Sequence, residues 1–223
     1  MPTTEVSHPL FARFYTWFSQ VLDRHGMTGQ REALVAGLSG RVIEVGAGNG
    51  LNFAHYPPSV TGVLAVEPEP RLRAIARHAA SGARARIEVV DGLADRLPAG
   101  DGEFDAAVVS FVLCSLPDPA AGLREIHRVL APDGRLRFLE HVRAGSTGWA
   151  RAQDLLDATV WPCLTGGCHT GRDSVAAIEA AGFTVGSLER FVFPGRVRSP
   201  ISFCVRGEAR LPSTTAATSS SPA

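Results

Sequence analysis

The sequence predicts an α/β fold: a doubly wound, mostly parallel seven-stranded sheet with an antiparallel last strand. Three observations predict it. Five strand-like runs alternate with helix-like runs, and several are apolar on both faces, as a parallel sheet covered by helices on each side requires. The first strand runs straight into three glycines at alternate positions, "RVIEVGAGNG", Arg41 to Gly50. The last two strand-like runs are separated by only a few turn residues, so they pair as antiparallel neighbours.

The elements follow in order. "LFARFYTWFSQVL" opens as a helix over about residues 8–24. Phe11, Phe14, Phe18 and Val21 share one face and read as core-facing, which leaves Tyr15 and Trp17 elsewhere on its surface. The five parallel strands are "RVIEV" (41–45), "GVLAVE" (62–67), "ARIEVV" (85–90), "DAAVVSF" (105–111) and "RLRFLEHV" (135–142). "DPAAGLREIHRVLAPDG" is a helix capped by Asp118, with Pro119 in its first turn, Leu123, Ile126 and Leu130 on one face, and a stop at Pro132 to Gly134. "SVAAIEAAGF" is a helix ending at Gly182. "TVGSLERFVF" (184–193) and "ISFCVRG" (201–207) are the final pair. From Glu208 to Ala223 there is almost nothing to bury, so a disordered tail is expected after a single domain spanning residues 1–207.

Composition narrows the function. With 22 basic and 22 acidic residues, no net field favours nucleic acid or an anionic membrane. Four cysteines without a CxxC pair fit a reducing compartment, and no run approaches the roughly 20 apolar residues of a spanning helix, so a cytoplasmic protein is expected.

The glycine loop sits where ligands bind in open α/β sheets, at the carboxyl end of a strand, and Gly46, Gly48 and Gly50 would let a ligand lie against bare main chain. Glu67 closes the second strand, where an acidic side chain accepts hydrogen bonds from both hydroxyls of a ribose. A dinucleotide site would share both features. Its fingerprint wants glycine at the sixth position, however, where this chain has Leu51, and no second mononucleotide-binding half follows.

"VIEVGAGNG", "AVEP" and "LREIHRVLAPDGRL" together resemble the class I S-adenosylmethionine-dependent methyltransferases over roughly residues 30–206. Within that superfamily "GLNFAHYPP", "VEPEP", "SFVLCSLPDP", "FLEHV" and "GGCHTGRDSVAAIEAAGF" are most similar to the thiol methyltransferase-like group and to neighbouring bacterial phospholipid N-methyltransferases. The resemblance implies S-adenosylmethionine as cofactor. Gly46, Ala47, Gly48 and Gly50 would face its methionine part, Glu44 its ammonium, Glu67 the ribose and Pro68 the adenine. Relatives carry Gly-Asp-Ala after the third strand; here Gly92, Leu93 and Ala94 stand there, leaving Asp91 or Asp95 as substitutes for the acid. Ser110 and Phe111 would close the methionine end, with Leu113 and Cys114 toward the acceptor.

Methyl transfer from a sulfonium is a displacement that needs alignment and exclusion of water more than covalent machinery. An alcohol acceptor needs a base, whereas a thiol is already a few per cent thiolate near neutral pH. Glu140 and His141, at the end of the fifth strand, are the candidate bases, with Asp157 and His169 as further ones. Cys114 and Cys168 read as small core residues, and no metal is expected. For the acceptor, Tyr15 and Phe18 of the first helix, as a lid, and Trp149, Gln153, Asp157 and Trp161 of the insertion "GWARAQDLLDATVWPCLTGGCH" form the expected walls. The expected partner is a small, fairly apolar molecule, most plausibly a thiol, with membrane contact at most weak and peripheral. Oxygen, nitrogen or carbon methylation of a metabolite or lipid headgroup, and a non-catalytic cofactor-binding scaffold, are the alternatives.

Overall fold

A computed structural model of the chain describes residues 9–195 and 198–212. Its sheet has seven strands: β1 Gly40–Val45, β2 Val60–Val66, β3 Ile87–Val90, β4 Phe104–Ser110, β5 Leu130–His141, β6 Thr184–Val192 and β7 Phe203–Arg210. The helices are α1 Pro9–Leu22, α2 Thr28–Val35, α3 Pro70–Ser81, α4 Pro119–Val129, α5 Thr147–Asp157, α6 Trp161–Leu164 and α7 Ser174–Ala180. Strand order is β3-β2-β1-β4-β5-β7-β6, and β7 runs antiparallel to both neighbours while the rest are parallel.

The reasons are local. β1 and β4 are buried on both faces, with Val42, Ile43, Ala107 and Val108 at 0% exposure, so each needs a covering layer on either side. Asp118 caps α4 by accepting the Ala121 N–H at 3.0 Å, and Asp173 caps α7 through Ala176. The order of the sheet reverses between β1 and β4, which opens a crevice beyond their carboxyl ends.

Two expectations change. β7 extends three residues past the expected boundary, because Ala209 is fully buried and Glu208 ion-pairs with Arg137 at 2.9 Å; the remainder of the expected tail, residues 213–223, lies outside the described residues. α1 also turns a different face inward. Ala12 and Ser19 are buried, whereas Phe14 is 45% and Trp17 61% exposed, and Phe14 stacks on Phe18 at 5.3 Å. The periodicity of the aromatics was genuine, but the small residues set how closely the helix seats. After Leu22 the chain widens into a π turn, Asp23–Met27, with Gly26 at φ +112°.

Candidate active site

β1 and β2 deliver two buried carboxylates to the crevice. Glu44 is 1% exposed and accepts hydrogen bonds from the Asn52 amide at 2.8 Å and the Tyr56 hydroxyl at 2.7 Å. Burial raises its pKa to about 7, although those two bonds and the nearby Arg31 pull the other way. Glu67 accepts the Gly48 N–H at 2.7 Å and the Glu69 N–H at 3.0 Å; burial likewise pushes its pKa up. The second carboxylate therefore shapes the glycine loop directly.

That loop, Gly46 to Gly50, takes positive φ at all three glycines. Neighbours crowd all three: a Cβ would lie 2.6 Å from Val112 at Gly46, 2.7 Å from Phe53 at Gly50 and 3.2 Å from the Tyr15 ring at Gly48. Asn49 also donates to Ser19 at 3.0 Å. α1 is thus seated on the loop expected to hold cofactor, and Tyr15, expected on the acceptor side, covers Gly48. Farther along β2 and β3, Arg73 binds the carbonyls of Glu67 and Pro68 and the Asp91 carboxylate at 3.0 Å, tying the two strand ends together. Gly92 packs against Val66 and Pro98, and Leu93 and Ala94 continue that turn.

β4 ends at Ser110, and Phe111, the next residue, holds φ +57°, an uncommon conformation for a bulky residue that tends to mark functional sites. Its ring lies 4.8 Å from that of His141. Arg31, at 4% exposure, reaches the same corner with its guanidinium bonded to Asp23 at 2.9 Å, Asn52 at 3.1 Å and Ser110 at 3.4 Å. Neither Arg31 nor Asn52 stood out in the sequence; a buried arginine in a helix as weakly patterned as "TGQREALV" looks like any solvated one.

The end of β5 differs from expectation. Glu140 is fully buried, and its two oxygens accept the N–H groups of Val112, Leu113 and Cys114 at 2.9 to 3.2 Å, so it braces the loop after β4 instead of facing a substrate as a base. Leu113 points into the core at 1% exposure, away from the acceptor position expected of it. Gln153, also fully buried, bonds Ala144 N and the carbonyls of Val142, Thr170 and Pro200; this amide is a structural tie. Asp157 is occupied by the N–H groups of Thr170 and Gly171 at 2.8 Å.

What remains at that end is His141 with two thiols. Its Nδ1 lies 3.7 Å from Cys114 Sγ and 3.5 Å from Cys168 Sγ. Burial by itself would lower the His141 pKa, but Cys114 and the Glu140 and Asp157 carboxylates raise it above its ordinary value. The second candidate histidine, His169, points Nδ1 at the Gly167 carbonyl, 2.7 Å away. Phe11 rests on Gly166, so α1 bridges the glycine loop and the insertion. Trp149 packs on Phe203, Phe18 on exposed Phe14, and the Trp161 indole nitrogen is buried without a hydrogen-bond partner among the described residues.

Comparison with known proteins agrees with this geometry. Residues 43–138 match the family described as "Methyltransferase domain". The human protein named thiol S-methyltransferase TMT1A is 32% identical over 195 residues, 82% of this chain and 79% of that one. A demethylmenaquinone methyltransferase from Mycolicibacterium gilvum is 36% identical over a shorter stretch, 58% of this chain and 56% of that one. Among solved structures, a Thermotoga maritima protein described as a SAM-dependent methyltransferase, possible histamine N-methyltransferase, superposes with a TM-score of 0.67 at 21% identity, covering 90% of this chain and 98% of that one.

Proposed function

The chain belongs to the class I S-adenosylmethionine-dependent methyltransferases, and from that premise we propose that it methylates a small, lipophilic thiol at sulfur. S-adenosylmethionine supplies an electrophilic methyl group carried on a sulfonium. The residues present suit it. Glu44, a buried carboxylate with a raised pKa, gains a charge partner in the cofactor's ammonium. Arg31, beside Ser110 and Asn52, suits the carboxylate of the same methionine. Glu67 would hold the ribose hydroxyls, and the Tyr15 ring over Gly48 would close on the cofactor from the α1 side.

The observation that carries the choice of sulfur is the occupation of the carboxylates. Glu140 and Asp157 are spent on backbone amides, which leaves the acceptor end, among the described residues, with an imidazole and two thiols in place of a carboxylate base. A thiol dispenses with such a base. The likeness to a human thiol S-methyltransferase points the same way. The aromatic helix α1 and the unpartnered Trp161 indole would exclude water and line an apolar acceptor. The test is an acceptor panel of alkyl and aryl thiols, phenols, amines and a quinol, scored by S-adenosylhomocysteine formation and by mass spectrometry of the product. Thiol methylation is expected; turnover confined to oxygen, nitrogen or carbon acceptors would refute the sulfur assignment.

A further inference from the structure

Three ligand atoms of the kind soft and borderline cations favour converge from three distant segments. Cys114 Sγ is 3.7 Å from Cys168 Sγ and 3.7 Å from His141 Nδ1, and Cys168 Sγ is 3.5 Å from that nitrogen. Each segment is held in place. The Cys114 N–H is fixed by Glu140 and its carbonyl accepts the His169 N–H at 2.8 Å. Cys168 follows Gly167, whose φ is +92° and where a Cβ would come within 2.5 Å of the Ser115 carbonyl oxygen, so only glycine brings this loop against Cys114. His141 ends β5, with its ring against Phe111.

The spacing is that of thiol hydrogen bonds, and it is also the spacing a bound metal ion would need. Sulfurs of a disulfide lie about 2.05 Å apart, far closer than these. Around zinc, with Zn–S about 2.3 Å and Zn–N about 2.0 to 2.1 Å, a tetrahedron places two sulfurs about 3.8 Å apart and each sulfur about 3.6 Å from the nitrogen. The three edges found here, 3.7, 3.7 and 3.5 Å, are those edges within the tolerance of about 0.2 Å that a metal site must meet. Charge agrees too: two thiolates balance a dication, so the buried cluster would carry no net charge. Among the described residues the group has three members and no fourth. Glu140 and Asp157, the nearest acids, are committed elsewhere. Two cysteines, one histidine and an open position is a pattern of catalytic zinc.

We propose that Cys114, His141 and Cys168 bind a zinc ion, and that the open fourth position takes the sulfur of the acceptor. The second half rests on the thiol reading above; the first does not. On binding, the acceptor thiol gives its proton to solvent and stays as a metal-held thiolate. A sulfur lone pair then forms the bond to the methyl carbon while the carbon–sulfonium bond breaks, leaving its electron pair on S-adenosylhomocysteine. The product thioether is neutral and a poor ligand, so it departs.

The experiment uses tag-free protein, reduced, loaded with Zn²⁺ and freed of excess metal. Elemental analysis should find about one zinc per chain in the wild type and in Cys163→Ser, whose cysteine is exposed and outside the cluster. Cys168→Ser and Cys114→Ala should lose most of it, with circular dichroism and S-adenosylmethionine binding reporting that they fold. In wild-type protein loaded with Co²⁺, tetrahedral visible bands and a thiolate charge-transfer band are expected, and a small thiol, but not its alcohol analogue, should shift them. Wild-type protein that takes up no stoichiometric zinc, or holds a Cys114–Cys168 disulfide in its place, would overturn the metal site even while thiols are methylated. Metal bound but spectrally indifferent to thiols would overturn the fourth-position assignment.

Discussion

The Tyr15 ring of the first helix lies against Gly48 of the glycine loop, close enough that a Cβ at the glycine would stand 3.2 Å from it. Gly48 also holds φ +58°, so Gly48→Ala meets both backbone strain and the ring. It is expected to cost about 1 to 2 kcal/mol, a fall of roughly 2 to 8 °C in Tm, and to weaken S-adenosylmethionine binding. Tyr15→Ala should lower Tm by loosening α1 and speed dissociation of the cofactor, whereas Gly48→Ala should slow its association. Stopped-flow association and release read the two apart; a Tyr15→Ala protein that releases cofactor at the wild-type rate would show that the ring is no cover.

Glu44 titrates near neutrality, and the sign follows from burial. Its folded pKa of about 7 lies above the ordinary 4.5, so the free protein holds a proton there that the unfolded chain has lost. This contribution to stability is full below pH 4.5 and disappears as the pH rises through 7. Binding the cofactor's ammonium calls for the ionised form. Affinity for S-adenosylmethionine should therefore rise about tenfold between pH 6 and 8, with proton release on binding, as isothermal calorimetry in buffers of different ionisation enthalpy would detect. Glu44→Gln should flatten that profile.

Glu67→Ala removes the acceptor of the Gly48 N–H and, in the proposed binding mode, of the ribose hydroxyls. Each such hydrogen bond is worth roughly 1.5 to 3 kcal/mol, so binding should weaken at least tenfold. Calorimetry decides this, and unchanged affinity would move the ribose contact elsewhere.

Glu140→Ala separates a brace from a base. Orphaning three buried N–H groups at about 1 to 3 kcal/mol each should lower Tm sharply, whereas loss of a base alone would cut turnover by 10²- to 10⁴-fold at constant Tm. A large fall in Tm is expected.

Much of this was legible because it is written in local pattern. Strands buried on both faces read as such, and the GxGxG turn and the Glu67 behind it are brought together at the strand ends as their spacing requires. What the sequence could not disclose was which polar groups cancel one another. Glu140 looked like a base because strand ends face substrate, yet its oxygens meet amides from a loop 26 to 28 residues away in sequence. Arg31 has no motif, and its burial depends on Asp23, Asn52 and Ser110, contributed by three separate segments. Cys114 and Cys168, isolated in sequence, adjoin only once Gly167 seats the insertion against the β4 loop.

The seating of α1 has a consequence for the order of traffic through the enzyme. The helix rests on the glycine loop through Tyr15 and Ser19, and on the insertion through Phe11, so it spans from the loop to the insertion. We predict that cofactor loads with that helix raised, the π turn at Gly26 serving as pivot, before the acceptor binds. Spent cofactor is then predicted to leave last. A burst of thioether equal to the enzyme present, followed by a slower steady rate that viscosity depresses, is the kinetic form such a clasp imposes; a first turnover no faster than the later ones would assign the slow step to chemistry.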